Sequence, residues 1–254
     1  MTPDPIPVRH VPSVECRSCG AGAPVDEHFC PNCSRILALG RHGDYFSFFD
    51  LPRQLVIDQA ELDRRFRELS RQFHPDYYYN ATPAERLASL ERSSYLNDAY
   101  RALRNPAGRI EHLLAIEGLP SARSEQGTTK VPPALLESVF ALNEELDEIR
   151  ELRESGADPA ELRRRLDAAR LPIEQRRTEH ESQLRDLSAQ WDAERDKSPD
   201  ERKKTLEALR ERLLERNYIT NLLASVDRET AGIAGEADPV RPGAVAASST
   251  GSHG

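Results

Sequence analysis

Apolar residues recur at three- and four-residue steps along most of the chain, and Val, Ile and Thr rarely follow one another. This spacing places apolar side chains along one face of a helix, so it predicts helices rather than strands. The pattern lapses at Gly40–Gly43 and at Pro120–Pro133. We therefore expect an all-α fold with units at 14–40, 41–120 and 133–228, a linker at 121–132, and disordered tails at 1–13 and 229–254.

The middle unit reads as a helical hairpin. A short aromatic-rich helix ends at Pro52, and a longer one opens at Asp58 or Gln59 and stops at His74-Pro75-Asp76, because proline disfavours helical geometry in the residue before it. A third helix is predicted over 83–104, and a shorter one over 107–117 after Asn105-Pro106. The apolar residues of the third helix are Leu87, Leu90, Leu96, Ala99, Tyr100 and Leu103.

The C-terminal unit is predicted to be a three-helix bundle, with helices over 133–155 and 158–197 and a last helix opening at Ser198–Glu201. Its first helix has two stripes. One stripe forms the core face and comprises Leu135, Val139, Leu142, Leu146 and Ile149. The second is half apolar and half acidic and comprises Leu136, Phe140, Glu144 and Glu148. Nothing in the pattern requires this second stripe to be buried, so it is either a binding surface or a solvated edge.

Four cysteines form two Cys-x-x-Cys knuckles separated by ten residues: Cys16, Cys19, Cys30 and Cys33. Four thiolates on two tight turns can close a tetrahedron around zinc, and a unit this small would depend on the metal for folding. Iron, a pair of disulfides and free thiols are the alternatives. With four protein ligands no coordination position stays open, so a zinc-ribbon-like module with a structural or docking role is expected.

Composition excludes some classes of function. The chain has 254 residues with 35 Lys and Arg against 43 Asp and Glu, a net charge of −8, whereas general nucleic-acid binders are basic. No apolar run approaches the roughly 20 residues of a membrane span, and we expect a cytoplasmic protein.

Within this acidic chain the second helix carries a basic stripe, which suggests an acidic partner. The stripe comprises Arg64, Arg65, Arg67 and Arg71.

The arginine-bearing helix, the His74-Pro75-Asp76 loop and the segment Leu96–Pro106 together resemble a J-domain, the module by which co-chaperones engage DnaK-class chaperone ATPases. The resemblance implies that the loop and the basic stripe contact the chaperone and stimulate its ATPase, and that the protein is not itself an enzyme. From residue types alone, His74 and Asp76 could equally be a helix cap and turn pair. Tyr77–Tyr79 depart from the J-domain pattern, in which a basic residue often follows the aspartate.

The Asp44-Tyr45-Phe46 opening, followed by a bundle that carries Asn143–Ile149, resembles the HscB family of iron–sulfur co-chaperones over about residues 44–226. Some members also carry a leading cysteine unit. The resemblance implies that the bundle binds the scaffold protein IscU and delivers it to an HscA-like chaperone. It assigns scaffold binding to Leu136, Phe140, Glu144, Glu148 and Tyr218. Glu137 and Ala141 depart from the family pattern. The alternative is a general J-domain co-chaperone whose zinc module and bundle recruit other protein clients.

Overall fold

The computed structural model describes residues 13–40, 43–121, 131 and 133–236. Within these residues it contains seven α-helices and one two-stranded antiparallel sheet, which confirms the all-α class with a small leading module. The strands are β1 (Ser13–Glu15) and β2 (Gly22–Pro24). The helices are α1 (Tyr45–Phe48), α2 (Gln59–Phe73), α3 (Pro83–Arg104), α4 (Pro106–Ile116), α5 (Leu136–Glu154), α6 (Pro159–Ala193) and α7 (Pro199–Glu236).

Local capping explains why the helices of the hairpin begin where they do. The Asp58 side chain accepts hydrogen bonds from two backbone N–H groups of the first turn of α2. Thr82 and Glu85 form a reciprocal capping box at the start of α3, which satisfies donors that a helix N-terminus otherwise leaves unpaired. Asn105 caps α4, and Pro106 occupies its first turn, where a missing N–H costs nothing.

The chain divides into two compact units, residues 1–129 with 182–214, and residues 130–181 with 215–254. The first unit therefore contains the cysteine module, α1–α4 and the segments of α6 and α7 that flank residues 194–198. Residues 182–214, which belong to the predicted C-terminal unit, thus group with the predicted hairpin.

The first unit has two main apolar clusters. One joins the α2–α3 hairpin to α1 and includes Phe46, Phe49, Leu62, Phe73, Leu96 and Leu103. The other packs α4 against α6 and α7 and includes Ile110, Leu113, Trp191, Leu206, Leu209 and Leu213. Trp191 is buried, and its ring lies 4.2 Å from the Arg202 guanidinium carbon.

The second unit has its own core between α5, α6 and α7, built from Leu135, Leu142, Leu146, Ile149, Leu162, Leu166, Ile173, Ile219, Leu223, Val226 and Ile233. Helix α7 continues to Glu236, past the predicted boundary at residue 228, and Ile233 in this extension is buried in the core. Residues 1–12, 122–130 and 237–254, most of the predicted tails and linker, lie outside the described residues. Among the described residues, no helix is both long and apolar enough to span a membrane.

Candidate functional site

The cysteine module brings its four sulfur atoms together. The Cys16 and Cys33 sulfurs lie 3.6 Å apart and those of Cys19 and Cys30 lie 3.7 Å apart, and all four Sγ atoms lie within 4.8 Å of one another. Tight turns aim each pair inward, since the Gly20 N–H donates to the Cys16 carbonyl and the Ser34 N–H to the Cys30 carbonyl, both at 2.8 Å. Gly20 and Ser34 adopt positive φ angles of 73° and 58° at these turns.

This geometry fits a tetrahedral metal ion. Sulfurs bound at about 2.3 Å to one tetrahedral zinc lie about 3.8 Å apart, which is close to the observed spacing and far from a disulfide bond. The Asn32 side-chain N–H donates to Cys19 Sγ, and this contact is the largest cause lowering the pKa of Cys19 to about 6. In Cys33 a backbone hydrogen bond at Arg35 opposes the shift, but burial and the other three sulfurs raise the pKa to about 12. The fit to a metal ion therefore rests on the spacing of the sulfurs. The four cysteines could therefore hold a metal ion.

The His74-Pro75-Asp76 loop lies exposed at the end of the α2–α3 hairpin, where Pro75–Tyr78 form a 3₁₀ turn. The His74 and Asp76 side chains are 54% and 87% exposed. The Asp76 backbone N–H donates to His74 Nδ1 at 3.3 Å. Nδ1 is thus an acceptor, which leaves Nε2 as the N–H donor of the neutral ring. His74 caps the turn, as its residue type allowed, and still presents a donor to solvent beside the exposed Asp76 carboxylate.

The three tyrosines after the loop have different environments. Tyr78 is half-buried, and its hydroxyl donates to the Gln72 carbonyl at 3.0 Å, closing the loop against the end of α2. Tyr77 and Tyr79 are 74% and 79% exposed. They therefore place aromatic surface next to the loop where a basic residue was expected.

The four arginines of the basic stripe are not equivalent. Arg64 and Arg65 both bind Glu61 at 2.6 Å and hold the pKa of its carboxyl at about 2. Arg65 also donates to the Phe49 carbonyl, so it ties α2 to the end of α1. Arg67 and Arg71 are exposed, and Arg71 Nε contacts the Arg67 carbonyl at 3.2 Å. The outward positive charge of α2 is therefore carried mainly by Arg67 and Arg71.

The mixed stripe of α5 is exposed. Leu136 and Phe140 are 39% and 69% exposed, so two large apolar side chains lie one helical turn apart at the surface. Glu144 is exposed, whereas Glu148 shares the Arg165 guanidinium with Glu145, at 2.6 Å and 2.7 Å respectively. Tyr218 on α7 is half-buried and packs against the core of its unit. The stripe therefore presents two apolar side chains and two carboxylates, one of them already paired.

Sequence reasoning missed the contact between the cysteine module and α3. Leu87 and Leu90 are 50% and 55% exposed, so they do not join the hydrophobic core of the hairpin. Instead Ala88, Ser89 and Arg92 are buried. The side chain of Arg92 binds His28 Nδ1 at 2.7 Å and backbone carbonyls of the module. His28 and Arg92 thus hold the module against α3.

A second contact, at the edge of this interface, joins Arg35 to the Glu85 carboxylate at 2.8 Å. His180 is buried, and its Nε2 lies 3.3 Å from the Glu215 carboxylate in the second unit. No signal within one helix reveals these pairings, because the partners are distant in sequence.

Comparison with known proteins identifies the fold. None of the protein-family models matches the sequence. Among solved structures, the human co-chaperone protein HscB is similar with a TM-score of 0.62 and 23% identity, over 86% of this chain and all of that one. The chaperone HscB from Vibrio cholerae is similar with a TM-score of 0.51 and 24% identity, over 75% of this chain and 99% of that one. The chain therefore has the HscB fold.

Proposed function

We propose that this chain is a J-domain co-chaperone of iron–sulfur cluster assembly, which stimulates the ATPase of a DnaK-class, HscA-like chaperone and delivers the scaffold protein IscU to it. The observation that carries this proposal is the exposed His74-Pro75-Asp76 loop between α2 and α3 of an HscB fold. The solved proteins that share the fold are themselves named HscB, one as a co-chaperone and the other as a chaperone.

The loop acts by contact and performs no bond chemistry, so the protein is not an enzyme. Asp76 offers a carboxylate to a cationic group of the chaperone, and His74 offers its Nε2 donor beside it. The positive charges of Arg67 and Arg71, together with those of Arg64 and Arg65, attract the hairpin to an acidic surface of the chaperone. The partner thereby shifts toward its ATP-hydrolysing state.

The second unit supplies the scaffold-binding surface. Leu136 and Phe140 serve as apolar anchors, with Glu144, Glu148 and Tyr218 around them, a composition typical of transient interfaces. Since the bundle binds scaffold while the hairpin binds chaperone, one molecule can hold both. No step of this cycle requires nucleic acid or a membrane, and we assign the protein to the cytoplasm.

Zinc is the metal that we assign to Cys16, Cys19, Cys30 and Cys33. Four thiolates complete its coordination, so it would supply folding free energy and no reactive position. In the role proposed here the module is structural.

The decisive experiment measures the steady-state ATPase rate of the cognate chaperone with the purified protein, with and without scaffold. We expect stimulation that rises further with scaffold and is abolished by His74→Gln or Asp76→Asn. Asp98→Asn is the matched control, because Asp98 is also an exposed carboxylate of the hairpin. Absence of stimulation by the folded protein would refute the chaperone role.

Scaffold delivery is tested separately. Leu136→Ala combined with Phe140→Ala should remove the increase caused by scaffold while the basal stimulation remains. Leu171→Ala, an equally simple truncation of a leucine that is 56% exposed on α6, should change neither. If the wild-type protein stimulates the ATPase equally with and without scaffold, the general J-domain co-chaperone is favoured instead.

A further inference from the structure

Phe73, the residue immediately before the His74-Pro75-Asp76 loop, anchors the loop to the core of the hairpin. Phe73 ends α2, and its side chain is fully buried. Its carbonyl accepts hydrogen bonds from Ser89 Oγ at 2.7 Å and Ser93 Oγ at 2.8 Å, both on α3. The position of Phe73 therefore determines where the loop begins.

The cysteine module forms one wall of the pocket around the Phe73 ring. The His28 ring meets it edge-on, with centroids 5.0 Å apart, and the Phe29 ring lies at 6.0 Å. The guanidinium carbon of Arg92 lies 5.6 Å from the Phe73 ring centroid. The Phe48 ring, from α1, also lies at 6.0 Å. Two of these four neighbours belong to the module, and Arg92 is held by it.

Arg92 joins the module to α3. Its side chain is 1% exposed, and its donors reach the carbonyls of Leu37 at 2.8 Å, Glu27 at 3.0 Å and Ala38 at 3.1 Å, as well as His28 Nδ1. Because Nδ1 accepts from Arg92, His28 Nε2 carries the proton and donates to the Phe48 carbonyl at 3.1 Å. A buried guanidinium stays favourable only while such acceptors are in place.

These acceptors belong to the segment that the cysteines shape. Cys30 N–H donates to the Arg35 carbonyl at 2.8 Å and Leu37 N–H to the His28 carbonyl at 3.0 Å. The segment 27–38 thus contains the second knuckle, and a module this small depends on its metal to remain folded. Without the metal, the backbone carbonyls around Arg92 lose the structure that orients them.

We propose that Arg92 and His28 are positioning residues for the His74-Pro75-Asp76 loop, and that metal bound by Cys16, Cys19, Cys30 and Cys33 controls, through them, how well the loop engages its partner. This inference rests on the proposed function for its partner, but its structural half stands independently. The cysteine module is then a metal-dependent control element of the co-chaperone and not an appended domain.

The first test uses the full-length protein, zinc-loaded, chelator-stripped and reloaded with zinc. Amide hydrogen exchange of the peptide covering Phe73–Tyr78 is measured under conditions where far-UV circular dichroism shows intact helices. We expect exchange to accelerate about tenfold on stripping and to recover with zinc, which corresponds to a loop correctly held in a smaller fraction of molecules. Unchanged exchange would overturn the inference.

The second test separates the positioning role of Arg92 from its contribution to general stability. Arg92→Met removes the donors at similar size, and Arg92→Lys keeps a cation with fewer donors. Arg35→Met is the matched control, since it removes a contact between the module and α3 away from Phe73. We expect the half-saturating concentration in the chaperone ATPase assay to rise about tenfold for Arg92→Met, less for Arg92→Lys and not for Arg35→Met, with the maximal rate retained.

The outcomes distinguish the two proposals. If intact protein fails to stimulate any chaperone, the proposed function fails, and hydrogen exchange still decides whether zinc positions the loop. If intact and stripped proteins stimulate with the same half-saturation, the function stands and this inference fails. If Arg92→Met does not fold, the stripped and reloaded wild-type protein decides the question.

Discussion

His112 is a neutral histidine held at the contact between α1 and α4. The Tyr45 N–H donates to His112 Nε2 at 2.9 Å, and the two rings stack with centroids 4.1 Å apart. Burial is the main cause that lowers the pKa of His112 to about 4, with Arg53 lowering it further and Asp44 opposing the shift. The folded protein therefore resists protonation of a ring that the unfolded chain protonates readily.

This difference predicts a pH dependence of stability. The unfolded histidine has a pKa of about 6.5, so between that pH and about 4 the unfolded state binds more protons than the folded state. The stability contribution is complete above about pH 6.5 and is lost as the pH falls through this window. In urea unfolding monitored by tryptophan fluorescence, the free energy of unfolding should fall less steeply between about pH 7 and pH 5 for His112→Gln than for the wild type. Identical slopes for variant and wild type would contradict this account.

The Phe73 carbonyl offers a second prediction at the residue scale. Either Ser89 or Ser93 alone satisfies it, so each single alanine variant should cost about 1 kcal/mol or less in the free energy of unfolding. The double variant leaves a buried acceptor unpaired and should cost about 1–3 kcal/mol, more than the sum of the singles. Denaturant unfolding of the four proteins measures this coupling, and strict additivity would show that the two bonds are independent.

The four arginines of helix α2 fall into two pairs with different contacts. Arg64 and Arg65 face Glu61 on their own helix, and Arg65 also reaches α1, whereas Arg67 and Arg71 point to solvent. The first pair therefore contributes mainly to the structure of the hairpin. In the proposed function, the second pair carries the positive charge that faces the chaperone.

Charge reversal should separate these roles. Arg67→Glu combined with Arg71→Glu is expected to raise the half-saturating concentration for chaperone stimulation about tenfold at low salt, with the difference shrinking as salt increases. Arg163→Glu combined with Arg164→Glu makes the same charge change on exposed positions of α6 and should have little effect. Equal losses in both variants would mean that only net charge matters.

The sequence predicted elements better than it predicted which faces are buried. The bounds of α3 were predictable because Thr82, Pro83 and Glu85 at one end and Asn105-Pro106 at the other are local signals. Its buried face was not, because the acceptors of Arg92 lie 54 to 65 residues away in sequence. The cysteine cluster was predictable from spacing alone, while His28 gave no signal in the sequence that could distinguish it from a surface histidine.

At the scale of the whole molecule, the two units share the helices α6 and α7. Residues 182–214 of α6 and α7 belong to the first unit, and the preceding part of α6 and the following part of α7 belong to the second. Trp191, the only tryptophan in the sequence, is buried in the first unit. Its fluorescence is therefore a natural reporter for that unit.

Because each unit has its own core, a substitution in the core of one unit should destabilise that unit and leave the unfolding of the other unchanged. Leu146→Ala in the second core should destabilise that unit by about 2–5 kcal/mol, lowering the unfolding midpoint followed by circular dichroism with little change in the tryptophan transition. Leu209→Ala, equally buried in the first core, should shift the tryptophan transition instead. A common shift of both signals in both variants would show that the shared helices make the units unfold as one.

The Arg92 contact also determines where this chain can be cut. A minimal fragment trimmed to residues 44–120 would keep every residue of the loop and the basic stripe, yet it would leave the buried Arg92 without its four acceptors. It would also lack Trp191 and Leu209, which cover Ile110 and Leu113. Such a fragment should expose apolar surface and aggregate, so a weak response from it in the ATPase assay would reflect the truncation and not a property of the intact protein.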